Sequence, residues 1–185
     1  MLDDRSTADA YVAGTMPGDD LIEGPVWVGT QAIDIAADRG LVFDFLAQMG
    51  FKRAGWYSYD LLDNLGRKSA STVHQEWLVE TAGELVPGGP IEFVAAVVER
   101  PGAYVLRLPH QHAVGHAVDF TLAYRLDETT VGTRLVSRAR LIVDGPAGPL
   151  LSRALRFGDG VMVRRQLQGL KQRCESHGSD NSGRI

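Results

Sequence analysis

The sequence predicts an α+β domain in which a curved antiparallel β-sheet wraps around a long C-terminal α-helix, with two short helices after the first strand. Three observations predict it. The hydrophobic period switches from two to about 3.6 near Asp38 and returns to two near His74. From His74 onward, β-rich runs alternate with Gly, Pro and Asp clusters, the mark of an antiparallel meander. The segment from Pro149 to Glu175 then carries one apolar stripe at helical spacing.

Each element follows in order. "VWVGTQAIDI" is rich in β-branched residues and ends with Ile33 and Ile35 flanking Asp34, so it reads as the first strand. In "AADRGLVFDFLAQMG", Leu41, Phe45 and Met49 recur at four-residue steps and Val42 and Leu46 widen the stripe. Asp38 is placed to cap this helix and Gly50 to stop it. "SYDLLDNLG" reads as a second, shorter helix, capped by Ser58 and ended by Gly66.

The strands after it are "HQEWLVE", "IEFVAAVVE", "AYVLRLP", "HAVDFTLAYRLD" and "TRLVSRARLIV", with "HQHAVG" as one hairpin turn. Val118, Phe120, Leu122, Tyr124 and Leu126 alternate onto one face. Asp119, Thr121 and Arg125 take the other, which is therefore expected to be wet. Arg107, Arg138 and Arg140 are assigned to that solvent face as well; turned inward, any of them would clamp an anion. On the final helix, Leu151, Leu155 and Met162, then Val163, Leu167, Leu170 and Cys174, form the stripe. Arg153, Arg156, Arg164 and Lys171 lie opposite, and Gly158 and Gly160 mark a kink or a close approach to the sheet.

The chain of 185 residues suits one domain. Its expected extent is 26–175, with a partly disordered extension at 1–25 and a disordered polar tail at 176–185. A formal charge of -4 gives no global attraction to nucleic acid or anionic membrane. Aromatic residues do not interleave with the basic face of the last helix, so no nucleic-acid partner is expected. With Cys174 alone there is no disulfide framework and no thiolate zinc cluster. The N-terminal stretch lacks the basic start and apolar run of a signal peptide. No run approaches the ~20 apolar residues of a membrane span, so no integral membrane association is expected, and the default compartment is the cytoplasm.

The stretch "GWYSYDLLDNLG", Gly55 to Gly66, resembles the "GWYSYDWLEN" stretch of a bacterial, polyketide cyclase/dehydrase-like subgroup of the START-like (SRPBCC) superfamily. "VMVRRQLQGLKQRCE" and "AIDIAAD" are similar to the same subgroup, and the resemblance covers roughly residues 26 to 175. Leu62 departs from it, standing where an aromatic residue is expected. The resemblance implies a helix-grip fold with a cavity between sheet and C-terminal helix. The ligand would be a small apolar or amphipathic molecule, lipid or polyketide-like, held without a cofactor by a monomer or homodimer. In that architecture the junction at Trp56, Tyr57, Tyr59 and Asp60 lies at the cavity entrance, and Trp77, Phe120 and Met162 join Trp56, Tyr57 and Tyr59 as its expected lining.

Two readings of function remain open on these residues. One is a binding module. The other is an enzyme of the cyclase, aromatase or dehydratase kind, with Tyr59, Asp60, His74 and Glu76 as candidate acid/base groups. Against catalysis at the junction stands a packing role, with Trp56 and Tyr57 closing the core and Asp60 completing a helix cap. "HQHAVGH" offers His110, His112 and His116, with His74 more distant, for a three-nitrogen metal site. Pro109 and the Val-Gly pair around them favour solvated turn histidines, so no metal is expected. Nucleophile-elbow, Walker and dinucleotide patterns are missing.

Overall fold

The computed structural model describes residues 14–24, 27–113, 116–143 and 161–177, with the backbone alone for 62–63, 109–113 and 116–117. Its elements are β1 (Trp27–Ile35), α1 (Arg39–Ala47), α2 (Asp60–Asp63), β2 (Leu85–Pro87), β3 (Glu92–Glu99), β4 (Ala103–Ala113), β5 (His116–Thr129) and β6 (Gly132–Val143). Helix α3 spans 161–177. The six strands form one sheet in the order β1-β6-β5-β4-β3-β2, every pair antiparallel. Bulges interrupt the ladder between Ala95 and Val97 and between Leu108 and Gln111. An extra residue on one strand bends it and sharpens its twist, so these bulges supply curvature.

Periodicity located α1 well. The Asp38 carboxylate accepts a hydrogen bond from the Gly40 amide at 2.7 Å, and the helix buries Val42, Phe43, Phe45 and Leu46. It stops at Ala47, ahead of Met49 and Gly50. The second helix is shorter than its pattern suggests: only Asp60–Asp63 is helical, and Tyr59 rather than Ser58 holds the capping position, without a side-chain bond. "HQEWLVE" is not a strand. Gln75–Trp77 forms a single 3-10 turn, and the first strand after α2 is the short β2. The "HQHAVG" turn is also shorter than expected, because β4 runs on to Ala113 and β5 begins at His116. Leu151, Leu155, Gly158 and Gly160 lie outside the described residues.

One face of the sheet carries the main core. Tyr104, Leu106, Leu122, Tyr124, Leu126, Leu135 and Ala139 meet α1 and the α3 stripe of Val163, Leu167, Leu170 and Cys174. The opposite face is not wet at its centre. Met16 covers Val105, Ala123 and Val136 in a second apolar cluster, and Thr121 is buried there too. Alternation correctly sorted these residues to one face, but could not show that the chain's own N-terminal segment lies across it.

The basic residues of that face explain how the segment is held. Arg138, only 4% exposed, reaches the Asp19 carboxylate at 2.6 Å, the Gly14 carbonyl at 2.9 Å and the Thr30 hydroxyl at 3.1 Å. Arg140 donates to the Ile22 carbonyl at 3.1 Å, and Arg107 pairs with Asp119 at 3.3 Å. These arginines therefore point away from the interior, and a clamp on an inward anion is ruled out for them. Residues 14–22 form a strap whose ion pair is sealed by the strap itself.

Two stability predictions follow from this packing. Breaking a fully buried pair from one side costs about 3–5 kcal/mol. Asp19 keeps some solvent and Arg138 keeps two other acceptors, so Asp19→Ala should cost about 2 kcal/mol in denaturant titration. On the other side of the sheet, Leu167→Ala should cost about 2–5 kcal/mol, because the side chain is buried mid-stripe. An unchanged midpoint in either variant would contradict the corresponding packing.

Candidate functional site

The stretch Gly55 to Asp60 is built as a fastening. Gly55 bridges to Gly50 and takes a φ of 77°, and a Cβ there would lie 2.4 Å from the Ser69 hydroxyl oxygen. Only glycine fits such a position. Tyr57 follows with a φ of 58°, unusual for a residue with a side chain. Its backbone carbonyl rests on α3 at Gly169, where a Cβ would come within 2.1 Å of that oxygen. Its ring turns inward, the hydroxyl accepting a 2.7 Å hydrogen bond from the Gln48 amide and the Arg173 guanidinium lying 5.0 Å over the ring. Ser58 donates to the Met162 carbonyl at 3.1 Å, and Asp60 accepts from both the amide and the hydroxyl of Ser69.

Gln48 and Arg173 extend this fastening. The Gln48 amide nitrogen also donates to the Thr72 carbonyl, while its oxygen accepts from the His74 amide at 2.9 Å. Arg173 donates to the Ala70 carbonyl at 2.8 Å. A buried amide bonded through both its nitrogen and its oxygen holds the 70–74 segment more specifically than apolar contact would.

Beside this junction a cleft of about 200 Å³ opens between sheet and α3. Trp56 and Ser58 line it from the loop, Gly88, Ile91 and Phe93 from the β2–β3 hairpin, and Phe120 and Leu122 from β5. Met162, Val163 and Gln166 close it from α3. Trp56 and Phe93 meet edge to face with centroids 5.5 Å apart, and Phe93 lies 6.3 Å from Phe120. Gln166 is the buried polar group of the wall. It accepts a 2.7 Å hydrogen bond from the Tyr124 hydroxyl, and among the described residues its amide nitrogen meets only the Met49 sulfur, at 3.5 Å. Sulfur is a weak acceptor, which leaves hydrogen-bonding capacity on that nitrogen.

Of the six residues expected to line a cavity, Trp56, Phe120 and Met162 are in the cleft wall. Tyr57 is buried in the fastening, Tyr59 is exposed, and Trp77 is half-buried and stacked on His74 at 4.3 Å. The four candidate acid/base residues do not converge. Tyr59 faces outward, Asp60 is taken up by Ser69, and His74 and Glu76 pair at 3.5 Å on the surface of the 3-10 turn. Asp60 also does not cap α2; its carboxylate ties the helix to residue 69 instead.

Phe93, Leu122 and Gln166 were not singled out from sequence. Leu122 shares the face of Phe120 by alternation. Gln166 is a polar residue set among Val163, Leu167 and Leu170, a break in the stripe that marks it.

Burial removes several groups from proton chemistry at neutral pH. It pushes the phenols of Tyr57 and Tyr104 well above the ordinary tyrosine range, and the Cys174 thiol up to about 12. Cys174 is thus a core residue, protonated and inert. Among the described residues no group of three or more His, Cys, Asp or Glu is placed to hold a metal, and no helix is long and apolar enough to cross a membrane. The side chains of His110, His112 and His116 lie outside the described residues.

No protein-family model matches the chain, and no curated protein matches it in sequence. Among solved structures it is similar to the di-domain ARO/CYC StfQ from the steffimycin biosynthetic pathway. The identity is 13% and the TM-score 0.51, over 83% of this chain and 52% of that one, so the chain spans about half of the di-domain protein. Protein MLL2253 from Mesorhizobium loti is similar at 15% identity and TM-score 0.49, over 80% of this chain and 96% of that one. The Polyketide_cyc-like protein Cgl2372 from Corynebacterium glutamicum is similar at 12% identity and TM-score 0.41, over 88% and 98%. The likeness to StfQ is one of fold, and the fold is the helix-grip that the "GWYSYD" resemblance implied.

The close approach at Gly169 gives a direct test. Backbone lies where the new methyl group would go, so no rotamer change relieves the clash. Gly169→Ala should lower stability by about 1–3 kcal/mol despite its gain in helix propensity. A stabilised variant would mean that the loop does not rest on α3.

Proposed function

We propose that this protein binds a small, mostly apolar and planar molecule in the cleft between the sheet and α3. The carrying observation is the wall itself. Trp56, Phe93 and Phe120 bring three aromatic rings to one apolar space, and the Gln166 amide is the polar group beside them. Apolar pockets with a few placed polar groups are where small molecules bind. At about 200 Å³ the space is below the ~300–1,000 Å³ of drug-sized sites, so it fits a small aromatic compound or the ring end of a longer one. The Gln166 nitrogen would donate to a carbonyl or phenol oxygen on that ligand.

The second reading is a cyclase, aromatase or dehydratase acting on a polyketide-like substrate. The fold it shares with an ARO/CYC favours it, but one fold hosts many functions. Tyr59, Asp60, His74 and Glu76 stand outside the cleft wall, and Gln166 neither takes up nor gives a proton near neutral pH. Binding is therefore the better supported reading.

The naphthalene-based fluorescent probe N-phenyl-naphthylamine should bind with micromolar affinity, equivalent to about -8 kcal/mol. Leu122→Trp fills the cleft and should abolish that binding while the protein stays folded by circular dichroism. Gln166→Leu should weaken naphthols more than naphthalene itself. Probe binding that survives Leu122→Trp would place the ligand elsewhere. Native mass spectrometry of the purified protein separates the readings further, since a retained small molecule supports carriage.

A further inference from the structure

We propose that the rim of the cleft, with Leu61 and Leu65 at its tip, docks this protein onto an anionic lipid surface. The two leucines are 78% and 77% exposed, and both belong to the short α2 segment and the turn after it. Leu65 holds a positive φ of 51°, and the turn is pinned from beneath: Asn64 accepts from the Lys52 amide at 3.2 Å and donates to the Arg67 carbonyl at 2.8 Å. The leucines thus project from a fastened loop rather than a loose one. The first turn of α3 sits alongside through the Ser58–Met162 hydrogen bond and adds Val161 and Met162, 43% and 37% exposed, while Tyr59 adds a partly exposed ring.

The charge around this apolar tip is in positive excess. Lys52, Arg67, Lys68 and Arg165 are all exposed, against Asp60 and Asp63 in the sequence of α2, an excess of two positive charges on a chain whose formal charge is -4. Asp60 is in addition engaged by Ser69. Apolar tips flanked by lysine and arginine are what an anionic bilayer attracts: the side chains enter the acyl boundary while the cations stay among the headgroups. A protein partner fits less well. A stable protein interface needs roughly 800 Å² of complementary surface on each side. Leucines standing almost free offer no such plane, yet each can enter lipid without a matching pocket. Because Ser58 and Met162 belong both to this rim and to the cleft wall, a docked protein presents its cleft to the membrane.

Flotation with vesicles tests this on the full chain. The protein should float with vesicles of phosphatidylcholine and phosphatidylglycerol in equal parts and stay behind with phosphatidylcholine alone, and high salt should release it. Leu61→Ser with Leu65→Ser should reduce binding at least about tenfold, since each leucine gains free energy on leaving water. Lys68→Gln with Arg165→Gln should reduce it about tenfold through charge alone, which keeps the test intact if the leucine variant folds poorly. Absence of vesicle binding, or binding indifferent to both pairs, overturns the proposal. Binding to poly-glutamate that depends on the leucines, without vesicle binding, also overturns it and assigns the rim to an acidic protein. The outcome is independent of the cleft reading: probe binding without flotation sinks only the docking proposal, and flotation without probe binding sinks only the cleft.

Discussion

The Tyr57 carbonyl rests on α3 at the one position, Gly169, that has no side chain to push it away. Much of the interior depends on that approach. It sets how deep the loop lies, and therefore that the Tyr57 ring reaches Gln48 while Trp56 is left facing the cleft. Gly55 makes the preceding turn possible, because a Cβ there would collide with Ser69, and Ser69 is in turn held by Asp60. The residues from Gly55 to Asp60 are best understood as a clasp between the loop and the last helix. Their aromatic character is divided between core and cleft.

The helix that receives the clasp is secured at its far end by different chemistry. Glu175 accepts from the Ala36 amide at 2.9 Å, and Lys171 reaches both the Asp34 carbonyl and Glu175. Those bonds hold the Glu175 carboxyl below its ordinary range, the Ala36 amide contributing first. Between the two ends, apolar contact with the sheet supplies the adhesion. One end of α3 is thus near-solvent and ionic, while the other borders the cleft.

The strap at 14–22 gives the sheet a second buried layer. Its cost is a guanidinium, Arg138, removed almost wholly from water, and such a group is tolerated only when its hydrogen bonds are met. Asp19, Gly14 and Thr30 meet them. On a bare outer face water would solvate this arginine, and under the strap those three acceptors take the water's place. The strap and the arginine belong together.

Composition and periodicity were enough to establish the α+β class, the antiparallel meander, the cap at Asp38 and the stripe of Val163, Leu167, Leu170 and Cys174. Those features arise from local propensity and from one-sided burial, which repeat along the chain and can be counted. The failures share a cause. "HQEWLVE" has strand-like composition, but the Gln48 amide fixes the His74 backbone and the chain turns instead. The face of Asp119, Thr121 and Arg125 looks solvated by alternation, yet Met16, about a hundred positions earlier, packs on Ala123 at its centre. Asp60 looks like a helix cap and instead bonds Ser69. Which of Trp56, Tyr57 and Tyr59 faces the cleft was likewise decided by Gly169, far along the sequence. Each of these outcomes depends on a contact between distant residues, which pattern in a single chain does not encode and which only the packed structure supplies.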